Sequence, residues 1–521
     1  MFGIDAVTQT DDQPDTPRKG ASPQGSPVAA RRLADLGLRA RGGANPTIRA
    51  IALDSRQSAP GCLFAAVPGS QVHGARFVGM ALERGAAAVL TDAAGAELCA
   101  DAVVQAGAAL VVVADAPAAL AAAAALWYGA QPEVTVAVTG TNGKTSVASF
   151  ARQIWQALGH AAVNLGTTGV EGDWQAPLRH TTPDALTLHA ALAGAAQVGV
   201  THAAMEASSH GLDQRRLDGV ALCAAGFTNF TQDHLDYHGS FDAYFAAKAG
   251  LFDRVLSADG AAVVNLGDPK GAEVVAIAQA RGIKVLSVGS DEHQDGDLII
   301  AGQRFDATGQ EVRFVFRGQA FQVRLPLIGG FQAENAAVAA GLVIAAGAAP
   351  ADVFAVLPRL ATVRGRMQLA ATRDNGAAVY VDYAHTPDAV ATALAALRPH
   401  VMGQLVAVVG AGGDRDRGKR PLMGAAAAKG ADLVIVTDDN PRSEDPQSIR
   451  DAVRAAAPHA QDIGDRSEAI LRACAALGPG DAALICGKGH ETGQVVGDTT
   501  FPFDDVEQAS IAVAALDGKL A

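Results

Sequence analysis

Residues 134–158 constrain the fold most, because they predict a strand, a tight loop and a helix in direct succession. Residues 134–137 read Val-Thr-Val-Ala, a mostly apolar run whose first three residues are β-branched, as in a buried strand. Four apolar residues further on are spaced three and four apart, on one face of a helix: Val147, Phe150, Ile154 and Leu158. Gly159 then stands where a helix commonly ends. This order of elements is typical of an α/β domain.

The loop between this strand and helix has the chemistry of a phosphate-binding site. Residues 140–145 read Gly-Thr-Asn-Gly-Lys-Thr, so two glycines bracket a turn that opens a helix. Backbone N–H groups and the helix dipole favour an anion there, while Lys144 adds charge and the Thr145 hydroxyl can ligate Mg²⁺. The loop departs from the common Walker A pattern, which needs glycine where Val138 stands. A glycine turn with a solvated lysine is the alternative interpretation.

Composition and charge exclude several classes of protein. The 521 residues carry a net charge of −13, whereas a nucleic-acid-binding protein needs a basic face. The five cysteines are scattered without a Cys-x-x-Cys pair, which suits a reducing cytosol better than a disulfide framework. The Ala-rich runs are shorter than a membrane span. We therefore expect a cytoplasmic monomer with small-molecule partners, and neither nucleic acid nor membrane.

The chain length suggests about three domains after a polar N-terminal tail. Residues 1–27 are rich in Asp, Gln, Pro, Ser, Thr and Gly, a composition typical of disorder. Strands alternating with helices then predict three α/β units. Their expected bounds are 28–114, 115–361 and 362–521.

The last unit predicts one shared ligand pocket. Its strands 405–409, 433–436 and 482–486 each run directly into a polar, glycine-containing cluster. Ligands of open α/β sheets bind beyond the carboxyl ends of the strands, so the three clusters are expected to meet. The glycines of residues 410–413 lack dinucleotide spacing, which argues against a NAD site.

Four segments together resemble the Mur ligases of peptidoglycan synthesis: residues 140–146, 205–212, 233–239 and 439–442. The resemblance covers essentially everything after the tail. It implies a small N-terminal α/β domain for UDP, and a central P-loop ATPase-type domain with a mostly parallel sheet for ATP. It also implies a C-terminal, Rossmann-like doubly wound domain for the incoming amino acid.

The resemblance further implies an ATP-dependent amide ligase. In this reaction the D-glutamyl γ-carboxylate of UDP-N-acetylmuramoyl-L-alanyl-D-glutamate takes the γ-phosphoryl group of ATP. The acyl phosphate is then attacked by the amine of meso-diaminopimelate, and phosphate leaves. Phosphorylation supplies the leaving group that a carboxylate lacks, so positioning and charge neutralisation are left to the protein.

The same resemblance assigns nucleotide and metal residues. Lys144, Glu206, His234 and Lys248 take the catalytic roles, with Mg²⁺ held by Thr145, Glu206, His234 and Lys248. Lys248 is expected to be carbamylated to N6-carboxylysine, because a plain lysine would repel the metal. The residues implied to contact ATP are Gly140, Thr141, Asn142, Gly143, Lys144, Thr145, Ser146, Asn229, Asn335, Arg366 and Asp382.

A third set is implied to bind the UDP-muramoyl dipeptide. His180 precedes the two threonines of this set, where Asn is expected in related ligases. The set consists of Leu53, Ser55, Ser70, Gln71, Val72, Thr181, Thr182, Ser208, Gln214 and Arg216.

The fourth set is implied to select the amino acid. Meso-diaminopimelate carries a second carboxylate that lysine lacks, which Arg442 and Arg415 can meet with paired donors. Asp439, Asn440 and Glu491 can accept from its ammonium, and lysine would leave arginine charge uncompensated. The full set is Arg415, Asp439, Asn440, Pro441, Arg442, Gly487 and Glu491.

Several alternatives stay open on the sequence alone. A sibling ligase could add L-lysine, and folate-polyglutamylating enzymes share the loop type without needing residues 439–442. A P-loop kinase or motor ATPase would turn over ATP without both amide substrates. A non-enzymatic nucleotide-binding module would bind ATP without turnover, but the strand-end clusters argue against it.

Overall fold

The computed structural model describes residues 18–19, 29–69, 72–231, 233–290 and 296–519. The predicted disordered tail lies outside these residues except for Arg18–Lys19, which form strand β1. By compactness the chain divides into two units, Met1–Glu133 with Ala161–Ala203, and Val134–His160 with Ala204–Ala521. The domain bounds given above stay predictions.

The N-terminal domain is a small α/β domain, as expected. A short antiparallel pair, β2 (Arg31–Arg32) and β3 (Thr47–Ile48), precedes a parallel sheet in the order β4 to β7. Alternate residues of that sheet enter two apolar clusters, one containing Leu63 and the other Phe64, so both faces are covered. Its elements are β4 (Ala50–Ala52), β5 (Cys62–Ala65), α1 (Val78–Glu83), β6 (Ala88–Thr91), α2 (Ala93–Gln105), β7 (Ala109–Val112) and α3 (Ala116–Tyr128).

The central elements follow in the predicted alternation of strands and helices. They are β8 (Val134–Thr139), α4 (Lys144–Ala157), β9 (Ala162–Gly166), β10 (Gly169–Gly172), β11 (Trp174–Gln175), α5 (Ala185–Gln197), β12 (His202–Glu206), α6 (Ser209–Asp213), β13 (Ala224–Phe227), α7 (Leu235–His238), α8 (Phe241–Gly250), β14 (Ala261–Asn265), α9 (Gly271–Ala280), β15 (Lys284–Ser290), β16 (Leu298–Asp306), β17 (Gly309–Phe316), β18 (Gln319–Leu325), α10 (Phe331–Ala345) and α11 (Pro350–Val356).

The strands of the central sheet that belong to the second unit pair mostly in parallel, which confirms the expected central architecture. Strands β8, β13, β14, β15 and β16 pair in parallel, in the order β8-β13-β14-β15-β16. Strands β16, β17 and β18 then form an antiparallel meander. Since the carboxyl ends of parallel strands share one edge, the loops after β8 and β13 lie together.

The C-terminal domain is doubly wound, as predicted. Its sheet order is β19-β20-β24-β21-β22-β23, parallel except for the edge strand β19. One apolar cluster covers one face through Val390, Met423 and Ile449, and a second contains Ile470 and Val513. The elements are β19 (Gln368–Thr372), β20 (Ala378–Asp382), α12 (Pro387–Leu397), β21 (Leu405–Val409), α13 (Lys419–Gly430), β22 (Leu433–Val436), α14 (Pro446–Arg454), β23 (Gln461–Asp462), α15 (Arg466–Ala475), β24 (Ala482–Cys486), β25 (Gly493–Val496), β26 (Thr499–Pro502) and α16 (Asp505–Leu516).

Strands β25 and β26 form a hairpin outside the main sheet. Across the described part of the chain, none of the helices has the length and apolar character needed to cross a membrane.

Candidate active site

The loop between β8 and α4 takes a conformation that requires glycine. Gly140 has a φ of +151° and Gly143 a φ of +85°. A Cβ on Gly143 would lie 2.4 Å from Asn335 Oδ1, and one on Gly140 would collide with the Thr228 hydroxyl. The two glycines therefore admit both the backbone turn and the close approach of neighbouring loops.

Two lysines converge on the carbonyl of Gly140. Lys144 Nζ donates to Gly140 O and Thr141 O at 2.8 Å each, and Lys248 Nζ donates to Gly140 O at 2.7 Å. Lys248 is buried on α8, with its ammonium 4.6 Å from the centre of the Tyr244 ring. Burial, and then the charge of Lys144, hold the pKa of Lys248 well below its usual value. Lys248 therefore loses its proton more readily than an exposed lysine does.

A hydroxyl and a carboxylate meet at the start of α4. Thr145 Oγ1 donates to Glu206 Oε2 at 2.9 Å, and both side chains are buried. Glu206 ends β12, so two strand ends bring together two oxygen ligands of the kind that Mg²⁺ prefers. Ser146, the next residue of α4, is buried as well.

The loop after β13 braces the phosphate loop through hydrogen bonds. Asn229 Oδ1 accepts from Asn142 N at 2.8 Å, and Asn229 O accepts from Thr141 N at 2.9 Å. Thr228 Oγ1 donates to Asn142 O at 2.6 Å. Asn229 Nδ2 also donates to Asn142 O at 3.3 Å. Asn229 therefore lies beside the loop, as its expected nucleotide contact requires, but three of its polar groups hold the loop in shape. Thr228 was not expected to take part.

His234 lies on a strained turn next to α7. Its φ is +51°, and its Nε2 lies 3.4 Å from Asp233 Oδ2. The ring packs against His210, with 4.9 Å between centroids. Burial is the main cause that lowers the pKa of His234, opposed by Asp233. A neutral imidazole is the form that binds metals.

The three residues expected to bind adenine and ribose lie in different surroundings. Asn335 is buried on α10 and reaches Gly143, as described above. Arg366 stacks on Tyr383, 4.7 Å from the ring centre. Asp382 accepts the N–H groups of Met367 at 2.6 Å and Ala384 at 2.8 Å, so its carboxylate primarily fixes backbone.

Residues expected to bind the UDP-muramoyl dipeptide are divided between the two compact units. Ser55 and Thr182 are buried in the first unit, where Thr181 Oγ1 lies 3.0 Å from Thr167 Oγ1. Leu53 is half-buried there, whereas Val72 and His180 are exposed. Ser70 and Gln71 lie outside the described residues.

The second unit holds the other three residues of this set. Ser208 Oγ caps α6 by accepting from Gly211 N at 3.1 Å. Arg216 Nη2 donates to Gln214 Oε1 at 2.7 Å, and Gln214 Nε2 donates to the Tyr237 hydroxyl at 3.0 Å. The structure thus joins Gln214 and Arg216 directly, on the segment after α6.

The three strand-end clusters of the C-terminal domain do meet. Asn440 Nδ2 donates to Glu491 Oε2 at 2.9 Å, and Arg442 Nη1 donates to Gly413 O at 2.8 Å. Asp439 is buried so close to Gly487 that a Cβ there would lie 2.7 Å from Asp439 Oδ2. Pro441 is buried between these residues, and Arg415 is exposed on the neighbouring loop.

Asn440 differs from the sequence expectation in one respect. Its Oδ1 accepts from Lys488 Nζ and from Val495 N, each at 2.9 Å. An amide oxygen has two lone pairs, so it is already satisfied and is a poor acceptor for a substrate ammonium. Asn440 instead directs Glu491.

Family models match most of the chain. The Mur ligase middle domain matches residues 138–343, the Mur ligase glutamate ligase domain matches 365–489, and the Mur ligase family catalytic domain matches 47–128. A relative from Caulobacter vibrioides is 49% identical over 94% of this chain and 99% of its own length. The chain belongs to the Mur ligase family.

Individual relatives of this Mur ligase are named after the reaction assigned to them. The Caulobacter protein is named UDP-N-acetylmuramoyl-L-alanyl-D-glutamate–2,6-diaminopimelate ligase. A solved structure with the same name is 36% identical, has a TM-score of 0.67 and covers 90% of this chain and 95% of its own. The MurF ligase from Thermotoga maritima in complex with ADP shares the fold at 18% identity, with a TM-score of 0.56 over 87% of this chain and 94% of its own.

The expected metal-binding residues of this Mur ligase suit one Mg²⁺ ion as they stand. They suit a second ion only if Lys248 is modified. Thr145 and Glu206 supply hard oxygens, whereas His234 and unmodified Lys248 supply nitrogen. In the described residues, no group of three or more His, Cys, Asp or Glu side chains forms a metal cluster. The expected second site therefore needs an oxygen donor on Lys248.

Sequence reasoning on this Mur ligase missed the residues behind the C-terminal cluster. Arg466 is fully buried, donates to both oxygens of Asp505 at 2.7 Å, and reaches Cys486 O at 2.9 Å. Lys488 is fully buried too. The sequence does show that Lys488 lies between two glycines at a strand end, which could have marked it as a candidate residue. It does not show that the side chain turns inward.

Proposed function

We propose that this chain ligates meso-diaminopimelate to the D-glutamyl γ-carboxylate of UDP-N-acetylmuramoyl-L-alanyl-D-glutamate, using ATP, in peptidoglycan synthesis. The observation that carries the proposal is the meeting of Asp439, Arg442 and Glu491 at one sheet edge. The far end of the amino acid bears both an ammonium and a carboxylate, and this edge offers partners for both charges. The name of the Caulobacter relative supports the same conclusion.

The phosphate loop would bind the ATP phosphates. Lys144 and the N-terminus of α4 supply positive charge and N–H donors to the β- and γ-phosphates. Thr145 and Glu206 would hold Mg²⁺, which supplies charge neutralisation on the phosphates when bound. Asn335 and Arg366 are proposed to position the base and ribose.

The proposed reaction has two chemical steps. An oxygen of the γ-carboxylate attacks the γ-phosphorus of ATP, the bond to the β-phosphate oxygen breaks, and ADP leaves. The neutral amine then attacks the acyl carbon, the carbon–oxygen bond to phosphate breaks, and the amine loses a proton. Lys144 is placed to balance phosphate charge in the first step.

Lys248 is proposed to act as its carbamate. Its depressed pKa supplies the neutral amine that adds CO₂ and releases one proton. The product is an anionic oxygen donor beside the phosphate loop, which together with His234 would hold a second Mg²⁺ ion. The proposal explains why an amine is buried next to Lys144.

In the first unit, Ser55, Thr181 and Thr182 are proposed to contact the dipeptide substrate. In the second unit, this role is proposed for Ser208, Gln214 and Arg216. The guanidinium of Arg216 suits a carboxylate or phosphate. We further propose a cytoplasmic monomer that has neither nucleic-acid nor membrane partners.

Product analysis tests the proposal directly. The enzyme is incubated with ATP, Mg²⁺, the UDP-muramoyl dipeptide and an equimolar mixture of meso-diaminopimelate and L-lysine, followed by mass spectrometry. We expect the diaminopimelate tripeptide, ADP and phosphate in equal amounts. With ¹⁸O in the γ-carboxylate, one label must appear in phosphate. A lysine product would instead identify the sibling ligase, and ATP turnover without amide product would identify an ATPase or kinase.

A further inference from the structure

A fully buried lysine lies behind the proposed amino-acid site. Lys488 follows Gly487 directly after β24, and its side chain is 0% exposed. Lysine is almost never buried to this extent unless it is paired, so its partners indicate what the burial achieves.

Lys488 fixes the orientation of Asn440. Its Nζ donates to Asn440 Oδ1 at 2.9 Å and to Gly493 O at 2.7 Å, and Val495 N donates to the same Oδ1 at 2.9 Å. With the amide oxygen held by two donors, the amide nitrogen must face the other way. There it donates to Glu491 Oε2. The position of the Glu491 carboxylate therefore depends on Lys488 through Asn440.

Lys488 also sets the charge of the site. Its Nζ lies 3.7 Å from Asp439 Oδ1 and 3.5 Å from Glu491 Oε2. Among these three side chains, one cation between two carboxylates leaves one negative charge for the substrate ammonium, while Arg442 is left for the far carboxylate. The neighbouring Arg466–Asp505 pair is neutral as a unit. Without the lysine, a second negative charge would face the substrate's far carboxylate.

The hairpin of β25 and β26 completes the arrangement. Gln494 Nε2 donates to Asp439 O at 2.8 Å. Arg442 N donates to Val495 O at 3.0 Å, and Gly497 N donates to Arg442 O at 2.7 Å. Because Lys488 bonds to Gly493 at the start of β25, it connects the hairpin to the segment of residues 439–442.

We propose that Lys488, together with the hairpin, is a positioning residue that sets selectivity for the diamino acid. It acts through Asn440, Asp439 and Glu491 without touching the substrate. The proposal rests on the proposed function and deepens it, because it states what makes residues 439–442 selective for a second carboxylate.

The test compares Lys488→Met with a matched control, Arg373→Met. Arg373 is a largely buried cation of the same domain, paired with Asp517 at 2.7 Å and bonded to Cys474 O. For Lys488→Met we expect KM for meso-diaminopimelate to rise roughly 10- to 100-fold while KM for ATP changes less than about twofold. The ratio of kcat/KM for meso-diaminopimelate to kcat/KM for L-lysine should fall. Loss of the lysine cation leaves an additional uncompensated negative charge, which repels the second carboxylate that only meso-diaminopimelate carries.

The KM values of these variants decide whether the inference holds. An unchanged KM for meso-diaminopimelate in folded Lys488→Met overturns the inference, and so does an equal rise in Arg373→Met, which would indicate general loosening of the domain. Should Lys488→Met not fold, Gln494→Ala removes one bond between the hairpin and Asp439. It must raise the same KM, and no rise there also overturns the inference. A wild-type enzyme that makes no diaminopimelate product defeats the proposed function instead.

Discussion

The phosphate loop and the amino-acid site are built in opposite ways. The loop draws its main groups from six consecutive residues, and its shape depends on backbone conformation at Gly140 and Gly143. The amino-acid site draws on residues 410–415, 439–442 and 487–497, joined mainly by side chains. A site made of contiguous backbone is visible in the sequence, whereas one made of interlocking side chains becomes visible only in the fold.

The largest expected effect tests the lysine on the phosphate-loop side. Lys248→Ala should lower kcat roughly 100- to 1000-fold, because it removes the proposed carbamate from the charge-stabilising site. Added formate or acetate should restore part of the activity in a phosphate-release assay.

Lys270→Ala is the matched control, since Lys270 also lies 4.6 Å from an aromatic ring centre, that of Phe245, but is partly exposed and pairs with Glu273 at 2.5 Å. It should retain full activity. Full activity in Lys248→Ala would instead remove the carbamate from the mechanism.

The second effect tests the side-chain site. Arg442→Ala should raise KM for meso-diaminopimelate by roughly 30-fold or more, because a charge partner of the far carboxylate is lost. KM for ATP should stay near its wild-type value. Steady-state kinetics with each substrate varied in turn measures both, and equal rises in the two KM values would contradict the assignment.

The third effect separates backbone strain from close approach in the phosphate loop. Gly143→Ala and Gly159→Ala both place alanine at positive φ, but only the former meets a neighbour, Asn335. Both should lose about 1 kcal/mol of stability. Only Gly143→Ala should raise KM for ATP, roughly tenfold.

Thermal unfolding and ATP kinetics on the same two variants distinguish the causes. If Gly159→Ala weakens ATP binding equally, the approach to Asn335 is not what the loop requires.

The smallest effect concerns acid stability next to the amino-acid site. Glu444 accepts from Arg420 Nη2 at 2.8 Å and from Asp414 N at 2.6 Å, and hydrogen bonding by Arg420 is the main cause that lowers its pKa to about 2. A depressed carboxyl pKa contributes stability above pH 4.5, the ordinary value, and loses it as pH falls towards 2.

The melting temperature of Glu444→Gln should therefore lie below wild type at pH 7, and the gap should narrow between pH 4.5 and pH 3. A gap that stays constant over this range would show that Glu444 does not act through its charge.

Much of the fold followed from the sequence. The strands expected at residues 405–409, 433–436 and 482–486 have those bounds in the structure, because buried parallel strands are unbroken apolar runs that end at polar loops. The antiparallel meander β16–β18 was not predicted. Its strands alternate exposed and buried residues and carry charged side chains, which weakens an apolar-run signal.

The candidate site was likewise predicted only in part from the sequence. Thr145 and Glu206 meet, as the resemblance implied, since strand ends at one edge of a sheet converge. Lys488 and Arg466 could not be predicted, because nothing in a sequence shows that a charged side chain points inward to pair with distant residues. The ligand contacts assigned by resemblance remain predictions.

The hairpin after β24 has a consequence for protein engineering. Val495 of β25 accepts the Arg442 amide N–H through its carbonyl, and Gly497 in the hairpin turn donates its N–H to the Arg442 carbonyl. Grafting four motif residues alone onto another scaffold would leave their backbone untethered. A transplant that also includes residues 487–502 would carry the strand and turn that hold the Arg442 backbone in place.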